Sequence, residues 1–375
     1  MLTLATRPST VSSMNPVSRN KSPFSIMNDL QNRLNLKEEL LPIHAKLKLT
    51  KTSAHETEAL LLRDFTLENQ GRVWLESRVS FDTLMKRYRN YDAALSCENW
   101  PQHYPVRVLS GNGAIASGKN IFLFFPEVLG SVSEKSDETF GFELVDVWRN
   151  IFEKNVIPSF SRNFDRESQL LILRQFLPLL DETIFIASVL HEVGHRVGPF
   201  AISPKTKGEI GISDFQLDIA GELSTDSLFA SLARETPELS VFLILQRIFW
   251  FGRRGYSDKP MTGWINSDND SWISVFLWQR LRFSGLIEPS QIESGKWALR
   301  LNTTEKMLRL PDFFSLIVKE LDEVGAESEA DFQSWMDSWV EKSDDGEYLL
   351  PQELRRVFEN CSDIPEFPLF VPFLR

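Results

Sequence analysis

Residues 181–200 read DETIFIASVLHEVGHRVGPF, and the reading of this stretch decides the fold of everything around it. Apolar residues fall on nearly every face of a helical wheel from Ile184 to Val197, which predicts a buried helix. Asp181 and Glu182 suit its dipole-positive start, and Gly198 with Pro199 supplies its stop. In its last turns stand His191 and His195, with Glu192 directly after the first and Gly194 directly before the second. Side chains at i and i+4 share a helix face, so both imidazoles can aim at one point, as a metal with nitrogen ligands at about 2 Å requires. Glu192 lies about 100° further round the axis, beside such a metal without binding it. From there it can take a proton from an attacking water and return it to a leaving group. The competing reading is a pair of core histidines, each needing a hydrogen-bond partner of its own.

A catalytic zinc needs a third protein ligand and an open position. The next predicted helix, DFQLDIAGELSTDSLFASLAR (214–234), supplies candidates: Asp218, Glu222 and Asp226 form a row at i, i+4, i+8, and Asp214 opens the segment. A solvated helix face produces the same row. At this point the chain resembles the gluzincin metallopeptidases, in which H-E-x-x-H is followed on a second helix by E-x-x-x-D. The resemblance implies Glu222 as third zinc ligand and Asp226 as the carboxylate holding a motif histidine by its second ring nitrogen, a common device for fixing tautomer and orientation. Asp218 and Asp214 stay open as alternative ligands, the latter because GISDFQ shares part of the aspzincin G-T-x-D pattern.

HEVGHRVGP is similar in form to the dipeptidyl peptidase III-like branch, a likeness confined to residues 189–230. That branch proper carries one more residue between the glutamate and the second histidine. It also has a second acidic residue beside the ligand, where this chain reads GELST. Metzincins are excluded, since their third histidine would fall at Ala201. Gluzincins commonly use a downstream His or Tyr to stabilise the oxyanion. No histidine follows His195, so the resemblance implies Tyr256, in FGRRGYSDKP (251–260) beside Arg253 and Arg254. An exposed basic turn after a buried helix is the rival reading of that segment.

Around this pair of helices the expected fold is α+β and predominantly helical: a zincin-like two-helix metal site with a small N-terminal strand-containing part. Residues 1–24, rich in Ser, Thr and Pro, read as a disordered tail, with an organelle transit peptide as the minor alternative. Residues 25–138 read as an α+β part, 139–300 as the helical metal-binding part and 301–375 as a C-terminal helical part, together one integrated unit. Strand-like pieces fall at 45–49, 72–81 and 119–127, and helices at 27–41 and 80–95. The resemblance to the gluzincins implies that the strand at 119–127 runs beside the zinc helix and offers a substrate-binding edge. LSGNGAIASGK (109–119) reads as a turn, without phosphate-loop spacing. Helices are expected at 142–157, 166–180, 181–197, 214–234, 240–251, 271–285, 304–324 (broken near Pro311), 327–342 and 351–360.

Composition narrows the function. A net charge of −11 leaves no excess of Lys and Arg for phosphates, which argues against nucleic acid. The longest apolar run, VFLILQRIFWFG (241–252), is interrupted by Gln246 and Arg247 and falls short of the ~20 residues of a membrane span. Two cysteines, Cys97 and Cys361, read as free thiols in a reducing, cytoplasmic setting and leave any metal to His and carboxylate ligands. The expectation is a zinc hydrolase acting on a peptide or a small-molecule amide. An iron oxygenase or a lyase would use the same two-His-one-carboxylate set, and a non-catalytic helical scaffold with a structural site is the third reading. Oligomeric state is not readable from the sequence.

Overall fold

The segment Phe140–Leu144, FGFEL, joins the two parts of the fold. In the computed structural model, which describes residues 48–51, 58–63, 70–75, 102–111, 122–124, 140–197, 214–234, 236–258, 269–300, 309–325, 329–344, 346 and 348–370, this segment is a strand that runs straight into a helix at Val145. The expected helix over 142–157 therefore starts three residues late. Alternation at Phe140, Phe142 and Leu144 is a strand period, and strands on both sides pair with it.

The sheet consists of β1 (Lys48–Lys51), β2 (Glu58–Arg63), β3 (Gln70–Leu75), β4 (Gln102–Gly111), β5 (Phe122–Phe124) and β6 (Phe140–Leu144), in the order β1-β2-β3-β4-β6-β5. Its pairs are antiparallel except β4 with β6, which run parallel. β5, within the apolar run expected as a strand, is an edge strand, and β6 separates it from β4. β4 was not expected: it carries Pro105, which demotes a strand reading, and it extends to Gly111 in what reads as a turn. The expected helices at 27–41 and 80–95, the tail 1–24 and the Gly198–Pro199 stop lie outside the described residues.

The helical part begins with α1 (145–163), which widens into a π-helical turn over Phe152–Val156. α2 (166–179) leads directly into α3 (Leu180–Val197), which carries both histidines. α4 (Asp214–Leu232) packs on α3, and on α6 (Asn269–Phe283) and α7 (Leu310–Gly325). α5 (238–258) is one continuous helix with a π-helical stretch at Arg247–Gly252, and it also lies against α3. Pro311 sits in the first turn of α7, where its missing N–H has no helical partner to lose. A short hairpin, β7 (Ile287–Pro289) with β8 (Trp297–Leu299), precedes it, and α8 (Glu329–Trp339) and α9 (Gln352–Glu359) close the chain.

One buried apolar cluster runs from Leu144 to Phe370. Aromatic pairs clamp α1 to α5 inside it, the tightest being Trp148 with Trp250, edge-on at 4.8 Å, and Phe152 stacked on Phe242 at 4.9 Å. α3 is held between these helices and α4, so its polar last turns face a fixed wall. No helix among the described residues is long and apolar enough to cross a membrane.

Candidate metal centre

Gly194 brings the two helices of the site together. A Cβ there would lie 2.7 Å from Thr225 Cγ2 and 3.0 Å from Thr225 Cα, so α3 and α4 approach this closely only because position 194 has no side chain. That approach sets HEVGH against Glu222, Thr225 and Asp226. His191 Nε2 and His195 Nε2 stand 3.0 Å apart. The Glu222 carboxylate reaches both, with Oε2 3.3 Å from His191 Nε2 and Oε1 3.3 Å from His195 Nε2.

These distances test the fit of an ion directly. Ligands about 2.0–2.1 Å from a tetrahedral zinc lie about 3.3 Å from one another, the spacing found here. Among the described residues, His191, His195 and Glu222 are the one group of His, Cys, Asp and Glu side chains able to hold a metal. The distal nitrogens are also arranged for it. His191 Nδ1 lies 2.9 Å from Asp226 Oδ1, and a carboxylate only accepts, so Nδ1 carries a proton and Nε2 is the nitrogen turned to the cluster. His195 Nδ1 lies 3.3 Å from the Thr225 hydroxyl, which orients the second ring. Consecutive residues of α4 thus hold the two histidines.

Electrostatics follow from this crowding. Burial alone would push the His191 imidazole down, but Glu222 and Asp226 outweigh it and hold the group well above its ordinary value. Burial would likewise raise Glu222, yet His191, His195 and Arg247 hold its carboxyl well below the usual range. Arg247 is 3% exposed. Its Nε donates to Asp226 Oδ2 at 2.5 Å, one terminal nitrogen to Asp270 Oδ1 at 2.7 Å and the other to Glu222 Oε2 at 3.1 Å. Burial would lower this guanidinium, and Asp226, Asp270 and Glu222 together keep it above its ordinary value.

A cavity of about 240 Å³ opens beside the cluster. His191, Glu192 and Glu222 line it, with Gln246 and Arg247 from α5 and aromatic wall from Trp148, Phe242 and Phe251. Glu143, the penultimate residue of β6, lines it too. Its side chain is 1% exposed and neither carboxylate oxygen has a hydrogen-bond partner. Burial pushes this carboxyl well above the ordinary glutamate range, and the charge of Glu192 adds to the effect. Ser188 and Trp148 lie near enough to temper it, but the Ser188 hydroxyl is committed to the Ile184 carbonyl at 3.1 Å.

The structure brings His191, Glu192, His195, Glu222 and Asp226 together. It does not bring Tyr256 to them. Because α5 runs unbroken to Asp258, Tyr256 packs on Phe358 of α9 and its hydroxyl donates to Glu359 at 3.1 Å, with no part in the cavity wall. Arg253, which the rival reading puts in an exposed basic turn, is 4% exposed. Asp218 is partly buried one turn before Glu222 and outside the metal-holding group, while the Asp214 side chain lies outside the described residues. Sequence reasoning missed Arg247, Asp270 and Glu143. A signal for the first was present: Arg247 interrupts an apolar run, and a charge in a buried helix needs partners.

No family model matches the chain, and no curated protein matches it. Among solved structures, a DPP III (dipeptidyl peptidase III) from Caldithrix abyssi superposes with a TM-score of 0.53 at 11% identity, covering 90% of this chain and 63% of that one. The fold is similar to that of dipeptidyl peptidase III. A dipeptidyl-peptidase III from Corallococcus sp. strain EGB gives a TM-score of 0.48 at 9% identity, covering 90% of this chain and 61% of that one. This chain thus spans less than two thirds of the length of either. At such identities the likeness to dipeptidyl peptidase III is one of fold alone.

Proposed function

We propose that this protein is a zinc-dependent hydrolase of metallopeptidase type that cleaves a peptide or other amide bond. The observation that carries the reading is the convergence of His191 Nε2, His195 Nε2 and the Glu222 carboxylate at 3.0–3.3 Å, with Glu192 on the wall of the same cavity. When bound there, zinc would polarise the scissile carbonyl and make water nucleophilic near neutral pH.

The chain's own residues divide the remaining work. Glu192 accepts the proton of the attacking water and hands it to the leaving nitrogen. Asp226 accepts a hydrogen bond from His191 Nδ1, which leaves Nε2 as its ligand nitrogen, and the Thr225 hydroxyl orients the His195 ring. The wall offers the Gln246 amide, in place of Tyr256, as a donor to the developing oxyanion. Phe242, Phe251 and Trp148 exclude water from the far side, and the modest volume suits a short peptide end or a small amide.

The test combines metal content with one substitution. Protein purified without added metal is expected to carry one zinc per chain; iron in its place would move the reading to oxygenase chemistry on the same ligands. Glu192→Gln should retain the zinc while peptidase turnover falls by about 10²–10⁴-fold, the share of a positioned general base. Full turnover in that variant would sink the hydrolytic account.

A further inference from the structure

Four side chains at the centre close a ring. His191 Nδ1 donates to Asp226 Oδ1, Asp226 Oδ2 accepts from Arg247 Nε, and a terminal Arg247 nitrogen donates to Glu222 Oε2. That same oxygen lies 3.3 Å from His191 Nε2. We propose that Arg247 is the positioning residue of the metal centre, locking the third ligand, Glu222, and the histidine-orienting Asp226 into one unit whose geometry any bound metal must meet. The inference rests on the metal reading of the site and adds to it a residue outside the ligand set.

The chemistry requires an arginine. Glu222 and Asp226 stand one turn apart on α4, and one planar guanidinium spans both because its donors form a rigid fork; an ammonium presents a single point of charge. Both oxygens of Asp226 are thereby used, one on His191 and one on Arg247. Turning the Glu222 carboxylate away from the histidines would break its bond to Arg247, so the ligand is held ready before a metal arrives. Two further contacts hold the arginine. Asp270 on α6 takes its remaining terminal nitrogen, and the Phe251 ring lies 4.6 Å from the guanidinium carbon. The π-helical stretch of α5 begins at Arg247, and Phe251, four residues on, lines the same cavity. His195 is outside the ring, and its distal nitrogen Nδ1 meets the Thr225 hydroxyl where that of His191 meets a carboxylate. The ring therefore makes the two histidines unequal.

Zinc affinity, measured by competition with a chromophoric chelator, and the visible spectrum of the cobalt-substituted protein test this without reference to turnover. Arg247→Met should weaken zinc by roughly 10–100-fold, the usual consequence of losing a partner of a metal ligand, and should change the cobalt spectrum. Arg247→Lys keeps the charge but not the fork and should fall between Met and wild type. Arg253→Lys, on the same helix but away from the ring, should bind zinc within about twofold of wild type. If the Met variant does not fold, the Lys variant decides the matter. Wild-type affinity and an unchanged spectrum in Arg247→Lys would overturn the inference while leaving a zinc-binding wild type intact. A wild type that takes up no zinc would overturn the metal reading and this inference with it.

Discussion

Arg247 and Arg253 stand six residues apart on α5, one opening its π-helical stretch and the other directly after it, and are almost equally buried at 3% and 4% exposure. Their partners differ in kind. Arg247 is bonded to three carboxylates, Asp226, Asp270 and Glu222. Arg253 is bonded to neutral acceptors alone among its described contacts: Asn155 Oδ1 and Ser159 Oγ on α1, both at 2.7 Å, and the carbonyls of Cys361 and Ile364, both at 2.8 Å. The electrostatic result has opposite sign, since burial pulls the Arg253 guanidinium below its ordinary value while the carboxylates hold Arg247 above it. Buried charge by itself therefore does not mark a site. An arginine on neutral acceptors pins a chain segment; an arginine on carboxylates organises a charged centre.

The sharpest way to break this contrast is Arg253→Met. It strips four hydrogen bonds that tie the C-terminal segment and α1 to α5 and removes a buried donor from four acceptors, of which the Cys361 carbonyl keeps the Ile364 N–H at 2.9 Å. The expected loss is on the order of 3 kcal/mol in urea unfolding, with zinc affinity of the folded protein unchanged. A variant of native stability, or one that loses zinc while remaining folded, would erase the distinction between the two arginines. Next in size is Gly194→Ala, which drives a methyl group into Thr225 Cγ2 and against the α4 backbone. Overpacking of this kind costs about 1–3 kcal/mol. Because the clash lies between the two ligand-bearing helices, zinc affinity should fall with stability, unlike in Arg253→Met. Chelator competition and urea unfolding on the same sample separate the two responses.

How much of this was legible in the sequence depended on whether the signal was local. His191, Glu192 and His195 share two turns of one helix, and Glu222 and Asp226 share one turn of another, so spacing alone placed them on common faces. The strands were harder to read. Pro105 lies in β4 opposite Glu143 of β6, one residue beyond the described pairing with β3, and β6 is five residues long with a glycine inside it. Pairing overrides propensity in both. Tyr256 was the candidate because no histidine follows His195, yet α5 continues through it and carries the ring to α9. Arg247 and Glu143 join the cavity only through tertiary packing, one from α5 and one from β6. For Glu143 no pattern in the chain gives notice.

Glu143 also supplies the smallest and most informative of the expected effects, because it is the counter-case to Arg247 in the same cavity. Arg247 is bonded to three carboxylates; Glu143 is bonded to no opposite charge, with His191 only tempering it from nearby, and its buried oxygens have no hydrogen-bond partner. Its folded carboxyl sits well above the ordinary glutamate range, chiefly through burial. In the unfolded chain the same group ionises near its ordinary value of about 4.3. As pH rises from there, the folded protein keeps a proton that the unfolded chain has released, so this group's contribution to stability is full at acid pH. It is lost progressively as pH climbs toward the folded value. Glu143→Gln removes the titration and preserves the shape. The variant should therefore lie close to wild type in stability at pH 4 and gain on it as pH rises to 7, because only the wild type carries a carboxyl that the unfolded chain ionises and the folded chain does not. Urea unfolding of both proteins across that range decides it. Parallel stability curves would mean that the carboxyl is ionised and matched, and that the cavity holds a partner for it after all.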